Sequence, residues 1–255
     1  MKEISVNRDV LAKYLDAKLE TARYRDYCPN GLQVEGRAEI KLILSGVTAS
    51  LALLERAVEL KADAILVHHG YFWRGEDMRV VGQKQRRLKL LLENDISLFA
   101  YHLPLDMHPE LGNNAQLARQ LEIDASSRFG DDDLGWLGKM SDPEIKTVGD
   151  LACHIEKKLG RKPMLIGDAA QLIDQVAWCS GAAQNLFDKA IVAGASVYLS
   201  GEISEPTVHL ARESGTVYLS CGHHATERYG VAALGEYLSQ HFGCGHQFVD
   251  IDNPV

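Results

Sequence analysis

The feature that most limits the fold is the alternation of short apolar runs with longer segments of helical spacing. Residues 64–67 form a continuous apolar run, residues 96–100 are apolar except for Ser97, and residues 84–93 between them have helical spacing. Buried strands separated by helices of about ten residues are typical of a parallel sheet that is covered on both faces. The sequence therefore predicts an α/β fold with mostly parallel sheets covered by helices.

The same order of elements occurs twice along the chain. Residues 41–46 (Lys-Leu-Ile-Leu-Ser-Gly) resemble residues 176–181 (Val-Ala-Trp-Cys-Ser-Gly), and the spacing His-x3-Asp at residues 102–106 has a counterpart, His-x3-Glu, at residues 223–227. An internal duplication of an α/β unit accounts for both similarities. We expect a first lobe over residues 1–125, a Gly- and Asp-rich connection over 126–146 and a second lobe over 147–255, with elements of the two lobes free to interleave.

Composition excludes several classes of protein. The chain has 27 Lys and Arg against 35 Asp and Glu, for a net charge of −8, which argues against a generally basic nucleic-acid binder. No apolar run approaches the length of a membrane span, and the N-terminal segment lacks the apolar stretch of a signal peptide. The five cysteines include no CxxC pair. We therefore expect a reduced, cytoplasmic protein without a disulfide framework.

Three histidine clusters follow predicted strands. They are His68-His69, His102 and His223-His224, with Asp106 and Glu227 each four residues beyond a histidine. Ligands gather at the carboxyl ends of strands in open α/β sheets, and residues one helical turn apart can share an ion. The clusters together predict a metal site with these ligands: His68, His69, Asp106, His223 and Glu227.

The number of ligands bears on the number of ions. Five ligands are too many for one tetrahedral zinc with an open position, but they suit two divalent ions that share a carboxylate. Imidazole with carboxylate suits zinc, iron, manganese or nickel, so the sequence does not identify the metal.

Several motifs together resemble the Nif-three-like family, also known as GTP cyclohydrolase I type 2 homologues, in its compact bacterial form. The motifs are residues 29–36 (Pro-Asn-Gly-Leu-Gln-Val-Glu-Gly), 67–73 (Val-His-His-Gly-Tyr-Phe-Trp), 102–106 (His-Leu-Pro-Leu-Asp), 112–114 (Gly-Asn-Asn), 200–202 (Ser-Gly-Glu) and 222–228 (Gly-His-His-Ala-Thr-Glu-Arg). The resemblance runs from about Tyr27 to Pro254. It implies two related α/β lobes with a dinuclear metal site in the cleft between them, the same five ligands, and a ring-shaped homohexamer.

The resemblance and the ligands favour a metal-dependent hydrolase, in which activated water attacks a nucleotide or a related heterocycle. The acid–base candidates are His102, His224 and Glu227. The alternative is a non-enzymatic protein that carries iron or zinc or acts as a regulatory adaptor, and a protein scaffold is a third possibility.

Some individual roles stay open at this point. His102 is either a direct ligand or a histidine held by a strand end, and Glu202 either accepts a hydrogen bond beside the metals or faces solvent. The aromatic residues 71–73 either stack on a substrate base or pack in the core or against another subunit. The basic stretch that begins at Arg74 either meets phosphate or is a solvated surface.

Overall fold

The computed structural model describes residues 4–255, so the first three residues of the predicted first lobe lie outside the described part. The chain divides into two compact units. Unit 1 consists of the residues up to Gly112 together with Gly230–Asp252, and unit 2 consists of Asn113–Tyr229 with Asn253–Val255. Within residues 4–255, no helix combines the length and the apolar character that crossing a bilayer requires.

The elements follow one another in this order. The first part of unit 1 contains β1 (Val6–Asn7), α1 (Arg8–Lys18), β2 (Gly31–Val34), β3 (Glu39–Ile40), β4 (Leu42–Thr48), α2 (Leu51–Glu59), β5 (Ala64–His69), α3 (Gly82–Glu93), β6 (Ser97–Ala100) and α4 (Leu103–Met107). Unit 2 contains α5 (Asn113–Leu121), β7 (Ile123–Phe129), β8 (Gly135–Met140), α6 (Val148–Leu159), β9 (Met164–Ile166), β10 (Val176–Cys179), α7 (Phe187–Val192), β11 (Val197–Ser200), α8 (Glu205–Ser214) and β12 (Val217–Ser220). The chain then forms α9 (His223–Phe242) and β13 (Gly245–Phe248).

The main sheet of unit 1 has five strands in the order β13-β4-β5-β6-β2. Strands β13, β4, β5 and β6 pair in parallel, with Leu44 opposite Ile65 and Ile65 opposite Leu98. These residues are fully buried, as continuous apolar strands must be when both faces are covered. The edge strand β2 pairs antiparallel with β6.

The sheet of unit 2 has six strands in the order β7-β8-β10-β11-β12-β9. Only β10, β11 and β12 pair in parallel, and the other three pairings are antiparallel. The α/β class is confirmed, but the expectation of mostly parallel sheets is wrong because both sheets are mixed. The antiparallel strands flank the parallel ones, and an antiparallel pair needs no helical crossover between its strands.

The predicted connection over residues 126–146 differs most from the structure. Strands β7 and β8 occupy about half of it and pair in antiparallel fashion, and the run from Gly130 to Asp133 lies between them. The middle of β7 is exposed, so its side chains are polar and lack the alternation that identifies a half-buried strand. The unit boundary also falls earlier than predicted, at Asn113, and residues 230–252 belong to unit 1.

Each sheet carries helices on both faces. In unit 1, Leu11 and Leu15 of α1 pack with Leu234 and Leu238 of α9 on one face, while α2 and α3 cover the other. In unit 2, α5 and α6 cover one face and α7 and α8 the other. The two cores hold the parallel strands rigidly, and the polar residues at the strand ends are thereby fixed in position.

The parallel strands show the arrangement that a duplication predicts. Three strands that are consecutive in the parallel part of each sheet, β4-β5-β6 and β10-β11-β12, lie in chain order. The similar segments 41–46 and 176–181 contain most of β4 and β10. His102 follows β6, and His223 follows β12.

Candidate metal-binding sites

The candidate ligands of unit 1 lie where β5 and β6 end. The sequence had suggested that His68 and His69 lie just beyond a strand. In the structure they are the last two residues of β5. His102 immediately precedes α4, and Asp106 lies within that helix. Because β5 and β6 are parallel neighbours, their carboxyl ends meet at one edge of the sheet.

His68 faces Asp106 with its Nε2 atom. The other ring nitrogen, Nδ1, donates to the carbonyl oxygen of Tyr101 over 2.9 Å, so that nitrogen carries a proton. Nε2 lies 3.5 Å from Oδ1 of Asp106, and both side chains are buried. A neutral His68 would turn a lone pair towards a carboxylate oxygen, which is repulsive. A proton or a metal ion between the two atoms removes this repulsion.

His69 and His102 lie beside His68. One ligand atom from each of the three histidines lies within 4.8 Å of the other two. The ring of His68 is 4.5 Å from that of His69 and 5.0 Å from that of His102, measured between centroids. Nδ1 of His69 lies 3.1 Å from the hydroxyl oxygen of Thr48, on the adjacent strand β4. The three imidazoles are thus grouped closely enough to serve one ion.

Asp26 positions His102. Its Oδ1 accepts a hydrogen bond from Nδ1 of His102 over 2.7 Å, and its Oδ2 accepts from the backbone of Leu103 and from the side chain of Asn30. Burial raises the pKa of Asp26, but the His102 contact and the other hydrogen bonds outweigh burial and lower the pKa to about 2. The carboxylate therefore stays charged and keeps the proton of His102 on Nδ1. The backbone N–H of His102 also donates to Oδ1 of Asn30.

Cys28 lies near Asp26 and His102, and one ligand atom from each is within 4.8 Å of the others. Burial raises the pKa of the Cys28 thiol to about 12. Since metals bind the thiolate and not the thiol, this second group is a poor metal site. Asp26 in it already serves as an acceptor for His102.

The candidate ligands of unit 2 lie at the ends of β10, β11 and β12. His223 begins α9, and Glu227 lies one turn further along the same helix, with its Oε2 atom 3.0 Å from Nε2 of His223. Nδ1 of His223 lies 2.7 Å from Oε1 of Glu202, which follows β11. Glu202 is therefore a hydrogen-bond acceptor for a candidate ligand, the first of the two alternatives that the sequence left open.

Gly181, which follows β10, lies close to the side chains of His223 and Glu227. It has a φ of +67°, and a Cβ there would lie 2.1 Å from Oε1 of Glu227 and 3.4 Å from Nε2 of His223. Its backbone N–H donates to the hydroxyl of Thr226, and that hydroxyl donates within the first turn of α9. The turn after β10 is thus tied to the helix that carries Glu227.

The charges around His223 favour a cation. Burial lowers the pKa of His223, but the hydrogen bond and charge of Glu227, and then those of Glu202, outweigh burial and raise the pKa to about 9. In the absence of metal, an imidazolium ion fits between the two carboxylates. A divalent ion can replace the proton on Nε2 while Nδ1 remains held by Glu202.

Each unit by itself groups some of the predicted site residues. His68, His69, His102 and Asp106 form the group in unit 1, and His223 and Glu227 form the group in unit 2. Among the described residues, His224 belongs to neither group, although it is buried in the first turn of α9 and its backbone N–H donates to the main-chain oxygen of Val255. An oxygen atom accepts from Nδ1 of His68, His102 and His223, and Nε2 of His68 and of His223 faces a carboxylate oxygen. That is the arrangement expected of metal-binding histidines.

Sequence reasoning missed the residues that support the ligands. They are Asp26, Asn30, Thr48, Gly181 and Thr226. Asn30 lies in the motif of residues 29–36, but nothing in the sequence links it to His102, which lies 72 residues further along the chain. Of these residues, only Gly181 could have been found from the sequence, because the repeat aligns it with Gly46 after an equivalent strand.

Comparisons with known proteins agree with these features. A curated protein of Pseudomonas aeruginosa described as "GTP cyclohydrolase 1 type 2 homolog" is 55% identical over 255 residues, which cover 99% of this chain and 100% of that protein. A solved structure described as protein ybgI, of unknown function, has a TM-score of 0.93 and 46% identity, covering 98% of this chain and 100% of the other. The crystal structure of TTHA1606 from Thermus thermophilus has a TM-score of 0.86 and 33% identity, with coverage of 98% and 100%. Residues 6–254 match the family described as Duf34/NIF3 (NGG1p interacting factor 3). On this evidence the chain belongs to the Duf34/NIF3 family.

Proposed function

We propose that this protein is a divalent-metal-dependent hydrolase that acts on a nucleotide or a related heterocycle. The observation that carries the proposal is the contact between His68 and Asp106, in which a protonated Nδ1 forces Nε2 to face a carboxylate oxygen at 3.5 Å. Such a pair is stable around a cation. The names of the relatives, which call them homologues of a GTP cyclohydrolase, support the choice of a nucleotide as substrate.

The ligands in this proposal are the five that the sequence predicted for a dinuclear centre. They are His68, His69, Asp106, His223 and Glu227. Glu227 is the carboxylate that we assign to both ions, because a carboxylate has two oxygens and its charge offsets the repulsion between two cations. Imidazole and carboxylate ligands suit zinc, iron, manganese or nickel.

The chemistry divides between the ions and the chain. Divalent ions supply Lewis acidity, which lowers the pKa of water towards neutrality. His102 is the residue that we assign to proton transfer, because Asp26 holds its Nδ1 proton and orients the ring beside His68 and His69. Glu227 and His224 remain acid–base candidates from the sequence.

Turnover after defined metal loading tests this function. The protein is stripped with EDTA, reloaded separately with zinc, manganese or iron, and offered GTP, other nucleotides and simple phosphoesters. We expect release of formate or phosphate that is absent from the stripped protein and from the Asp106→Asn variant. An Asp77→Asn variant, altered at an exposed carboxylate paired with Arg79, is the matched control and should retain turnover.

A non-enzymatic metal carrier is the second candidate. It is favoured by the partial exposure of His69 and of the His223 side chain, because exposed ligands let an ion exchange with solution or with a partner. Rapid exchange of bound metal in the same preparations, with no turnover of any substrate under any metal, would favour this role over hydrolysis.

We also propose that the chain assembles into a ring-shaped homohexamer, as membership of the family implies. The loop after β5 supports an assembly of some kind, because Met78, Val80 and Val81 are large apolar residues with more than half of their surface exposed.

A further inference from the structure

Three aromatic residues follow the histidines of β5, and the structure separates their roles. Tyr71 is buried, and its hydroxyl donates to the carbonyl oxygen of Ala49, so it is a core residue. The ring of Phe72 lies 5.2 Å from the ammonium group of Lys84. Trp73 is half-buried and lies beside the histidines themselves. Of the three, Trp73 is therefore the one placed to meet a ligand.

Trp73 is held in a fixed position. Its indole N–H donates to the carbonyl oxygen of Gly70 over 3.2 Å, and its backbone N–H donates to Oε2 of Glu76. The indole centroid is 5.0 Å from the His102 ring, nearly perpendicular to it, and 6.0 Å from the His69 ring. A large aromatic surface thus stands preorganised next to two histidines of the candidate metal site.

A cation and a second aromatic ring lie next to Trp73. Arg74 is exposed, its backbone N–H donates to Tyr27, and its Nη2 donates to the carbonyl oxygen of Asp26 over 2.9 Å. The guanidinium lies 5.8 Å from the ring of Tyr27, which is 60% exposed. These contacts fasten the loop that carries Trp73 to the segment that holds His102.

We propose that Trp73 and Arg74 form a binding subsite for a planar heteroaromatic ring that bears an anionic group, such as a nucleoside monophosphate. The ring stacks on the exposed surface of Trp73, and the phosphate meets the guanidinium of Arg74, which has further donors beyond the one given to Asp26. This inference rests on the proposed function, since it names the residues that would present a nucleotide to the ions.

Direct binding tests the subsite without turnover. Full-length protein, zinc-loaded and separately EDTA-treated, is titrated with guanosine 5′-monophosphate, guanosine and ribose 5-phosphate in equilibrium dialysis. The variants are Trp73→Leu, Trp73→Phe as the ring-retaining rescue, Arg74→Gln, and Arg79→Gln as a control for the loss of an exposed cation in the same loop. Elemental analysis of each variant reports its metal content.

The two residues should affect different probes. Trp73→Leu should weaken binding of guanosine and of its monophosphate about tenfold, the order expected for one stacked base, while Trp73→Phe retains most of the affinity. Arg74→Gln should weaken the two phosphorylated probes and leave guanosine unchanged, and Arg79→Gln should change none. The Trp73 effect should persist in EDTA-treated protein because the indole contacts the ring and not the ions.

Three results would overturn the subsite. They are wild-type protein that binds none of the probes, Trp73→Leu that binds the monophosphate like the wild type, and a Trp73 effect that vanishes once metal is removed. If wild-type protein turns over nucleotides while Trp73→Leu binds them normally, only the subsite is wrong. If Trp73→Leu and Arg74→Gln weaken binding of their probes as expected but no metal supports turnover, the proposed hydrolysis is wrong and the subsite is supported.

Discussion

His102 donates a hydrogen bond from Nδ1 to Oδ1 of Asp26 over 2.7 Å. In unit 2, Glu202 accepts from Nδ1 of His223 over the same distance. Each unit thus uses a carboxylate to fix the tautomer and the orientation of a histidine, which leaves Nε2 to face the candidate site.

Replacement of the two candidate carboxylate ligands should have unequal effects. Glu227→Gln keeps the size of the side chain but removes the charge assigned to both ions, so we expect loss of one or both. Asp106→Asn should weaken one ion and leave the other. Elemental analysis of protein purified without chelators checks this, with about two ions per chain expected in the wild type. Two ions at normal affinity in Glu227→Gln would contradict the assignment, and so would unfolding of that variant.

Gly181→Ala should reduce metal content, because the new Cβ would lie 2.1 Å from Oε1 of Glu227 and displace it. The left-handed backbone also costs a non-glycine residue about 1–2 kcal/mol. Gly194→Ala is the matched control, since Gly194 also has a positive φ, +84°, but has open space where a Cβ would be added. Both variants should lose similar stability in urea unfolding, and only Gly181→Ala should lose metal. Equal metal content in the two variants would show that Gly181 does not constrain Glu227.

Asp26→Asn should destabilise unit 1. The Asp26 carboxylate accepts hydrogen bonds from four donors, the side chains of Asn30 and His102 and the backbone N–H groups of Tyr27 and Leu103. An amide turns an NH₂ group towards two of these donors, so the free energy of unfolding should fall by about 1–3 kcal/mol. Urea denaturation measures the change. Asp77→Asn, at an exposed carboxylate, is the control. An equal decrease in the free energy of unfolding of that variant would show that the hydrogen bonds of Asp26 do not stabilise unit 1.

His246 should make stability depend on pH. It lies against Oγ of Ser45 at 2.7 Å, and burial lowers its pKa, although the nearby Glu236 acts in the opposite direction. Because the folded-state pKa is below the unfolded one, the unfolded chain binds more protons, and the free energy of unfolding should rise as the pH increases towards the unfolded-state pKa of about 6.5. His246→Gln should flatten that rise. Urea unfolding at several pH values checks this, and an identical slope in the variant would contradict it.

The assembly can be measured directly. If the family resemblance extends to quaternary structure, light scattering at micromolar concentration should give a mass several-fold above 28.2 kDa. Met78→Glu should lower that mass if the exposed apolar loop lies in a subunit contact. A stable monomer in the wild type would show that the hexamer does not apply to this chain.

Pairing direction at the sheet edges could not be predicted from the sequence. The apolar runs at β5 and β6 predicted parallel strands because burial on both faces leaves a local pattern. Strands β2 and β7 have partly exposed side chains and carry no such pattern. Their direction depends on where the chain returns to the sheet, which is a property of the whole unit.

What the sequence determined by itself was the set of chemical groups and their place at strand ends. His68, Asp106, His223 and Glu227 could be named because spacing along a strand or a helix is local. Tertiary structure alone decided which atom of each histidine is used. Tyr101, Asp26 and Glu202 supply the acceptors for Nδ1, and they lie between 21 and 76 residues from the histidines that they hold. Hydrogen bonds over such separations exist only after the sheets have formed, so the sequence left the role of Glu202 open between two alternatives and contained no sign of Tyr101 or Asp26.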